Sequence, residues 1–388
     1  MNKILYWSPF TSKVATVKSV INSAESVNRF AKNNLFKAYI INAVNEWDEF
    51  RELLNKKNIG IIDLNKKSIF NNFKKDGFLR SRIAYWYIFI KSFIPLNRIL
   101  INEKPKFLII HLITSLPLIL FCIKKFETKL ILRISGLPKM NILRKTIWKI
   151  ASKNIHKITC PTQATYDDLS KYSFLRDKLE ILSDPIINIK DINKSSSLQV
   201  NLPIKIHKII TTKKFLLSIG RFTKQKNFLF YLNCIPEILK LDNELYFLFI
   251  GKGEQEKKIK ELSKQLNISD RILLINETDN VHYFMKKSQA LVLTSLWEDP
   301  GFVIVESGYN NCQVISSNCP NGPSEIINND GGYLFESNSQ ISLITTMKNF
   351  LEDDKKNKNS KKIILKKRIK KFTSFNHRIK LFNNVLND

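Results

Sequence analysis

The chain has 388 residues, of which 44% are hydrophobic and 11% aromatic, which is enough for two domains and excludes a disordered protein. Its 63 lysines and arginines exceed its 34 aspartates and glutamates, giving a formal net charge of +29. Such charge attracts nucleic acid, anionic lipid or phosphorylated substrates. The abundance of Lys, Asn and Ile, typical of an AT-rich coding sequence, is an alternative source of part of this excess.

The cysteines are odd in number and scattered, so they predict neither a disulfide framework nor a zinc site. They are Cys122, Cys160, Cys234, Cys312 and Cys319. The first residues, MNKILYWSPF, indicate a β-strand and not a signal peptide. The most apolar stretch, residues 107–121, is shorter than the roughly twenty residues of a membrane span. We therefore expect a cytoplasmic protein with no transmembrane segment.

Short apolar runs alternate with segments of helical length along the chain. In the first half the runs are KILYWS, KFLIIHL, KLILRIS and HKITCPT, and in the second half KFLLSIG, LYFLFIG, RILLIN, ALVLTS and CQVISSN. This alternation predicts an α/β protein with doubly wound parallel sheets, whose ligands bind beyond the carboxyl ends of the strands. Residues 181–203, rich in Pro, Ser and charge, interrupt the rhythm and predict a linker, with a domain boundary near residue 190.

Two basic stretches each allow two interpretations. Residues 82–101 combine aromatic side chains with Arg and Lys, which is typical either of an interfacial membrane helix or of a helix packed within the first domain. Residues 355–372, KKNKNSKKIILKKRIKKF, form either a contact for phosphate head groups or the solvated face of a helix.

The segment LLSIGRFTKQKN has candidate ligand-binding residues at the end of a strand. Gly220 ends the strand, and a glycine there lets a ligand approach the backbone. Arg221 and Lys226 follow on one loop, and together they supply a planar fork and a point charge, which suit a diphosphate. Two ordinary surface cations are the alternative.

The segment SLWEDPGFVIVE brings two carboxylates to the next candidate strand end. Pro300 and Gly301 break both strand and helix, so a helix should begin near Phe302. Glu298 then lies in the loop and Glu306 in the first turns of the helix. The amides of Gly301 and Phe302 would face an anion. Each carboxylate can accept paired hydrogen bonds from the vicinal hydroxyls of a sugar, unless both merely complement the helix dipole.

Together these residues resemble the retaining glycosyltransferases of family 4, which have the GT-B fold and an E-x7-E motif. Glu298 and Glu306 have the spacing of the motif, and GRFTKQKN is similar to the GR…K loop of the family. ITCPTQATYDDL and DPI resemble the end of its first domain. ISSNCPNGPSEIINNDGGYLF resembles the segment that follows the motif in enzymes of bacterial surface polysaccharide synthesis, such as lipopolysaccharide and capsule. The resemblance covers most of residues 155–340.

The resemblance implies two Rossmann-like doubly wound parallel-sheet domains facing a central cleft. Residues 1–190 would form the acceptor-binding domain and residues 191–360 the nucleotide-sugar-binding domain. We expect residues 361–388 to be a helical segment that packs back towards the N-terminal domain.

The resemblance also implies roles for the matching side chains. Glu306 would accept hydrogen bonds from the nucleotide ribose, and Glu298 would contact the hydroxyls of the donor sugar. Arg221 and Lys226 would neutralise the leaving diphosphate, so neither a metal nor another cofactor is expected.

Backbone groups would complete this implied site. The amides around Gly301 and Phe302 would assist with the diphosphate. The loop from Asn276 to Val281 would hold the nucleotide base.

The sequence departs from the family at two places. The segment SPFTSKVAT after the first strand contains no glycine, and Ser135 precedes Gly136 where many relatives have a histidine. His111, near another strand end, is the alternative candidate to contact the donor, although a packed core histidine is the competing interpretation. Arg133 is a further candidate to compensate for the missing histidine.

From the resemblance we expect a retaining hexosyltransferase (EC 2.4). It would move a sugar from a nucleotide-diphosphate sugar, with UDP as the expected nucleotide, to a saccharide or lipid-linked acceptor. It would be cytoplasmic, with peripheral contact to the anionic inner face of the membrane. The alternatives are another GT-B enzyme, either an epimerase or a phosphorylase, and a basic nucleic-acid-binding protein. Two carboxylates in the main crevice would repel phosphate, so we expect no nucleic-acid partner.

Overall fold

The computed structural model describes residues 2–11, 15–29, 35–65, 78–196, 200–278 and 280–387. The chain divides into two compact units, Met1–Ile186 with Phe372–Asp388, and Ile187–Lys371. Three predicted features lie partly outside the described residues. They are the segment SPFTSKVAT (residues 12–14), the linker (residues 197–199) and the loop before Val281 (Asp279).

The first unit is built on a parallel sheet. Its strands are β1 (Asn2–Trp7), β2 (Phe36–Asn42), β3 (Gly60–Asp63), β4 (Phe107–Ile110), β5 (Lys129–Arg133), β6 (Ile155–Cys160) and β7 (Leu179–Ile181). They lie in the order β3-β2-β1-β4-β5-β6-β7. The register pairs Trp7 of β1 with Ile41 of β2 and with Ile110 of β4. The strand order therefore reverses between β1 and β4.

Helices cover both faces of this sheet. They are α1 (Ala15–Arg29), α2 (Arg51–Lys56), α3 (Phe78–Asn102), α4 (Ser115–Ile123), α5 (Ile142–Ser152), α6 (Gln163–Ser170) and α7 (Ser173–Arg176). Successive residues of a strand point to opposite faces of a sheet. Leu5 accordingly packs in one apolar core with residues of α3, α4 and α5, whereas Ile4 packs in the other with residues of α1. Burial on both faces explains why the strands are apolar runs and not alternating sequences.

The second unit repeats the design. Its strands are β8 (Phe215–Ile219), β9 (Tyr246–Ile250), β10 (Ile272–Ile275), β11 (Ala290–Leu293), β12 (Gln313–Ser317) and β13 (Tyr333–Phe335). They are parallel, in the order β10-β9-β8-β11-β12-β13. Its helices are α8 (Ile189–Ser196), α9 (Ile204–Thr212), α10 (Phe228–Leu241), α11 (Glu256–Gln265), α12 (Val281–Lys287), α13 (Phe302–Tyr309), α14 (Pro323–Ile327), α15 (Gln340–Glu352) and α16 (Lys355–Arg368). The predicted doubly wound parallel sheets are confirmed in both units.

The limits of the units differ from the predicted ones, because residues 361–388 do not form one segment. The helix α16 belongs to the second unit, where Leu365 lies so close to Gly308 that a Cβ there would be 2.8 Å from Leu365 Cγ. From Phe372 onwards the chain belongs to the first unit, with a helix α17 (Ser374–Lys380). There His377 Nδ1 lies 2.8 Å from the carbonyl oxygen of Ser183 and His377 Nε2 2.9 Å from Ser23 Oγ. Through these buried contacts the C-terminal segment belongs to the first unit.

The aromatic stretch 82–101 lies within α3. One side of this helix, including Ala84, Ile88 and Leu96, is buried in the core of the first unit. This side of the helix is therefore packed within the unit, as one of the two interpretations expected. Within the described residues, no helix combines the length and the apolar character needed to cross a membrane.

A buried ion pair joins the ends of two strands in the first unit. Arg133 ends β5, and Asp184 follows β7; the two residues are only 4% and 2% exposed. Arg133 Nε donates to Asp184 Oδ1 at 3.1 Å, Nη2 donates to Oδ2, and Ser19 Oγ adds a bond of 3.0 Å to Oδ1. Burial would raise the pKa of Asp184, but the charge and the hydrogen bond of Arg133 outweigh it and hold this pKa below its usual value.

Replacing Arg133 tests the contribution of this pair. Arg133→Met leaves a buried carboxylate unpaired, so we expect the free energy of unfolding in urea at pH 7 to fall by about 3–5 kcal/mol. Because the folded-state pKa of Asp184 is lowered, its stabilising effect is complete above the unfolded value near 3.8. That effect disappears as pH falls through the lower folded value. The wild type should therefore lose more stability in this acid range than the variant.

Two further variants complete this test. Arg133→Met with Asp184→Leu removes both charges and should recover a large part of the loss. Lys157→Met breaks the half-exposed pair with Glu180 in the same sheet and should cost less than about 1 kcal/mol. Equal losses in the single and the double variant at Arg133 would contradict the assignment.

Candidate functional site

The candidate residues of the second unit lie at the carboxyl edge of its sheet. Gly220 and Arg221 follow β8, Asn276 follows β10, and Glu298 lies in the loop after β11. The strand order reverses between the neighbours β8 and β11, so the connections after these two strands run to opposite sides. In sheets of this kind, such a switch point opens a crevice for ligands. The topology thus brings together two loops that are far apart in sequence.

Glycines shape the floor of this crevice. Gly220 has φ +153°, and a Cβ there would lie 2.9 Å from the side chain of Lys226. Gly251, which follows β9, has φ +154°, and a Cβ there would lie 2.0 Å from the carbonyl oxygen of Gly220. Side chains at these positions are therefore excluded, and the exposed Arg221 follows Gly220 directly.

Lys226 and Glu298, which the sequence assigned to different parts of a ligand, form an ion pair with each other. Lys226 Nζ donates to Glu298 Oε1 at 2.5 Å, and Ser295 Oγ donates to the same oxygen at 2.5 Å. The side chains are 15% and 6% exposed, so the pair is largely withdrawn from water. Lys226 is therefore compensated within the protein, and the carboxylate of Glu298 is fixed in one orientation.

The loop after Glu298 leads into α13 as the sequence predicts. The peptide bond between Asp299 and Pro300 is cis, Gly301 has φ +94°, and the helix begins at Phe302. The amides at this helix start have no partner within the helix and point outwards from its end. Glu306 lies one turn further along α13 and is partly exposed. The two glutamates thus belong to different elements, loop and helix.

A second loop, residues 318–322, braces this one, and the sequence analysis did not assign it a role. The amide of Glu298 donates to the carbonyl oxygen of Pro320 at 3.1 Å, and Asn321 Nδ2 donates to Asp299 Oδ1 at 3.2 Å. Gly322, with φ +138°, lies so close to Pro300 that a Cβ would be 2.0 Å from its carbonyl oxygen. The asparagine-glycine step in CPNGPSE was the available signal for this close approach.

Asn276 stands between two cavities at the end of β10. One cavity, of about 270 Å³, is also lined by Phe222 and Lys260. The other, of about 510 Å³, is also lined by Leu202 and Asn280. Val281 is the first residue of α12, and the side chain of Asn280 caps this helix by accepting from the amide of Tyr283. The predicted loop therefore lies beside space large enough for a planar ring.

His111 lies in the first unit and not among these residues. It directly follows β4, at the strand reversal of that sheet, and is 5% exposed. Both ring nitrogens lack a hydrogen-bond partner among the described residues. Burial, reinforced by the positive charge of Arg133, lowers the pKa of His111 to about 3, so its imidazole is neutral near pH 7. The ring lines a cavity of about 670 Å³, which Arg133 and Ser135 also line.

Comparison with known proteins relates the second unit to a protein family. Residues 202–367 match the family model described as "Glycosyl transferases group 1". All the candidate residues of the second unit fall within this match.

Two curated relatives extend the comparison. The N-acetylgalactosamine-N,N'-diacetylbacillosaminyl-diphospho-undecaprenol 4-alpha-N-acetylgalactosaminyltransferase of Campylobacter jejuni is 25% identical over 239 residues, which are 59% of this chain. The match spans 62% of the length of that relative. An uncharacterized glycosyltransferase of Methanocaldococcus jannaschii is 28% identical over 287 residues, 69% of this chain and 68% of its own length.

A solved structure supports the fold over nearly the whole chain. The crystal structure of HepE from Anabaena, in complex with UDP and glucose, has a TM-score of 0.74 at 13% identity and covers 99% of both chains. The GT-B fold that the resemblance implied is thus confirmed. Both units have the fold of GT-B glycosyltransferases. The second unit matches the group 1 glycosyltransferase domain over residues 202–367.

The pairing of Lys226 with Glu298 predicts a stability difference between two neighbouring lysines. Lys226→Met leaves the buried carboxylate without its cation and should lower the free energy of unfolding in urea by about 2–3 kcal/mol. Lys224→Met changes an exposed lysine of the same turn and should stay within about 0.5 kcal/mol of the wild type. Adding Glu298→Gln to Lys226→Met should reduce the loss. Equal stability of the two lysine variants would show that the ion pair contributes nothing.

Proposed function

We propose that this protein is a retaining glycosyltransferase. In this proposal it moves a sugar from a UDP-sugar to a saccharide or lipid-linked acceptor in bacterial surface polysaccharide synthesis. The observation that carries the proposal is the meeting of two loops at the switch point of the group 1 domain. One loop presents Arg221 and Lys226, and the other presents Glu298 and the start of α13. The UDP in the HepE structure and the lipid diphosphate in the name of the Campylobacter relative support the two substrate classes.

The donor diphosphate would lie against the loop of Arg221. The exposed guanidinium of Arg221 offers a fork of donors that matches phosphate oxygens, and the amides of Gly301 and Phe302 add the partial positive charge of a helix start. Lys226 shares its charge with Glu298 and so supplies less than a full unit to the phosphates. These groups belong to the protein, so we expect transfer without a metal cofactor.

Glu298 would bind the donor sugar with the oxygen that its partners leave available. The hydrogen bonds from Lys226 and Ser295 both end on Oε1. In the proposal, Oε2 of this fixed carboxylate accepts from a sugar hydroxyl, and the partly exposed Glu306 accepts from the ribose. The uracil ring would lie beside Asn276 and Val281. Glu298 and Glu306 would then bind opposite ends of the donor, with the diphosphate between them.

The chemistry that fits these groups is substitution at the anomeric carbon with retention. The bond from this carbon to the β-phosphate oxygen breaks through an oxocarbenium-like state. The acceptor oxygen attacks from the same face, and the leaving phosphate takes its proton. Negative charge grows on the phosphate during this step, so donors fixed in advance at Arg221 and the helix start lower the barrier. The neutral imidazole of His111 would meet a substrate hydroxyl in the first unit. An enzyme of this kind would act in the cytoplasm, at the inner face of the membrane.

A nucleotide panel tests the donor site. UDP should raise the midpoint of thermal unfolding more than GDP, ADP or CMP do, because a ligand that binds only the folded state stabilises it. Arg221→Ala should remove most of the UDP shift, whereas Lys224→Ala, the matched change of an exposed cation on the same loop, should retain it. Equal shifts for all diphosphates would contradict the choice of UDP. An unchanged UDP shift in Arg221→Ala would contradict the site.

Transfer assays test Glu306. Glu306→Gln keeps the shape but not the charge, so kcat/KM for sugar transfer should fall about 10- to 100-fold, and Glu306→Ala should abolish transfer. The activity would be measured with labelled UDP-sugars and undecaprenyl-diphosphate-linked saccharides. Glu352→Gln, an exposed change on α15, should leave it unaltered.

The product of this assay distinguishes the alternatives. Proton NMR of the new linkage should show the anomeric configuration of the donor, and an inverted product would exclude retention. A changed UDP-sugar formed without any acceptor would identify an epimerase instead. Full activity of both Glu306 variants would show that the carboxylate is assigned wrongly.

A further inference from the structure

The helix α3 presents an apolar stripe to solvent. Ile83, Trp86, Ile90 and Ile94 are 58%, 58%, 69% and 58% exposed. They recur at intervals of three and four residues, so they lie on one side of the helix. The opposite side, with Ala84, Ile88, Leu96 and Leu100, is buried. An amphipathic helix of a water-soluble unit normally places polar residues on its outer side. Here both sides are apolar.

A second exposed apolar pair begins α5. Ile142 is 87% exposed and Leu143 is 70% exposed. Leu143 also lines the cavity of about 670 Å³, and so does Tyr85, which precedes Trp86 on α3. The two exposed apolar groups therefore adjoin one cavity. We call Ile83, Trp86, Ile90, Ile94, Ile142 and Leu143 the apolar rim.

The charged residues of α3 and α5 all have one sign. No aspartate or glutamate occurs in residues 78–102 or 142–152. The exposed Arg82, Lys91 and Arg98 are distributed along α3, and the exposed Lys145 follows the pair on α5. Apolar side chains and an aromatic residue next to cations match the chemistry of an anionic bilayer surface, where apolar groups enter the acyl boundary and cations meet phosphate.

The cavity is lined by the same combination of apolar and cationic side chains. Its walls include apolar residues such as Leu118 and Trp148, together with Lys139 and Arg144. Arg144 is held by the bond from its Nη1 to the carbonyl oxygen of Lys139, at 2.8 Å. Such a cavity suits an anionic head group attached to an apolar chain, and not a free sugar alone.

We propose that the apolar rim docks on an anionic lipid bilayer, so that the cavity receives its acceptor from the membrane by way of a lipid phosphate or diphosphate held at Lys139 and Arg144. This inference rests on the proposed function for the nature of the acceptor. The docking itself involves only the first unit and requires no nucleotide. A second copy of the chain would place like charges against each other.

Vesicle binding tests the docking surface. The full chain should float with vesicles of phosphatidylcholine and phosphatidylglycerol, mixed in a ratio of roughly 3:1, and bind vesicles of phosphatidylcholine alone much less. Ile90→Asp with Ile94→Asp should lower the partition coefficient by roughly tenfold or more, because two apolar contacts become like charges facing the lipid. The matched control is Ile204→Asp with Ile341→Asp, which are 89% and 80% exposed on the second unit. It adds the same charge and should bind as the wild type does.

A fluorescence measurement locates the contact. Emission of Trp86 should shift to the blue on anionic vesicles and be quenched by brominated lipid, and Trp86→Phe should remove this signal while retaining most of the binding. Lys139→Gln with Arg144→Gln should lower transfer to an acceptor presented in vesicles more than it lowers vesicle binding. The UDP-induced thermal shift should be unchanged in all these variants, which separates this proposal from the assignment of the donor site.

Three outcomes would overturn the proposal. In the first, the wild type fails to bind anionic vesicles. In the second, the Ile90 and Ile94 variant binds as well as its control, which would assign binding to another basic surface such as α16. In the third, light scattering shows that the wild type is a dimer that the Ile90 and Ile94 substitutions dissociate, so the rim would be an interface between copies of this chain.

Discussion

The site of the second unit depends on one ion pair, between Lys226 and Glu298. These residues are 72 positions apart, and they belong to loops that leave neighbouring strands towards opposite sides. A carboxylate that is 6% exposed requires a compensating charge, and the lysine supplies it. Further bonds join the same loops, since the amide of Leu296 donates to the carbonyl oxygen of Gln225 at 2.8 Å. These bonds hold the two loops together within the protein, so the groups of the proposed site are fixed in advance.

Sequence patterns predicted the larger design but not the side-chain partners. Apolar runs identified most of the strands but missed β2, β3, β7 and β13. Of these, β3, β7 and β13 have only three or four residues, which leaves a short pattern. The break at Pro300 and Gly301 correctly placed the start of α13. The pairing of Lys226 with Glu298 depends on strand order, which local periodicity does not encode. For the same reason, the brace formed by Gly322 became visible only in the folded chain.

The two units differ in where their charged groups lie. In the second unit, charged groups lie in the loops at the carboxyl edge of the sheet, and Arg221 among them is exposed. In the first, Arg133 and Asp184 neutralise each other in the interior, and the imidazole of His111 stays uncharged beside them. The sequence raised Arg133 only as a substitute for a missing histidine. The buried bidentate bond with Asp184 gives Arg133 a structural role, which explains an arginine at this position equally well.

The first unit is discontinuous in sequence, and this affects its synthesis. The core residues Leu381, Val385 and Leu386 pack with residues of β1 and α1, although the whole second unit separates them in sequence. The second unit lies wholly between these segments and has its own core. It can therefore fold while the chain is still being made. The core of the first unit stays incomplete until the residues that follow the second unit have been made.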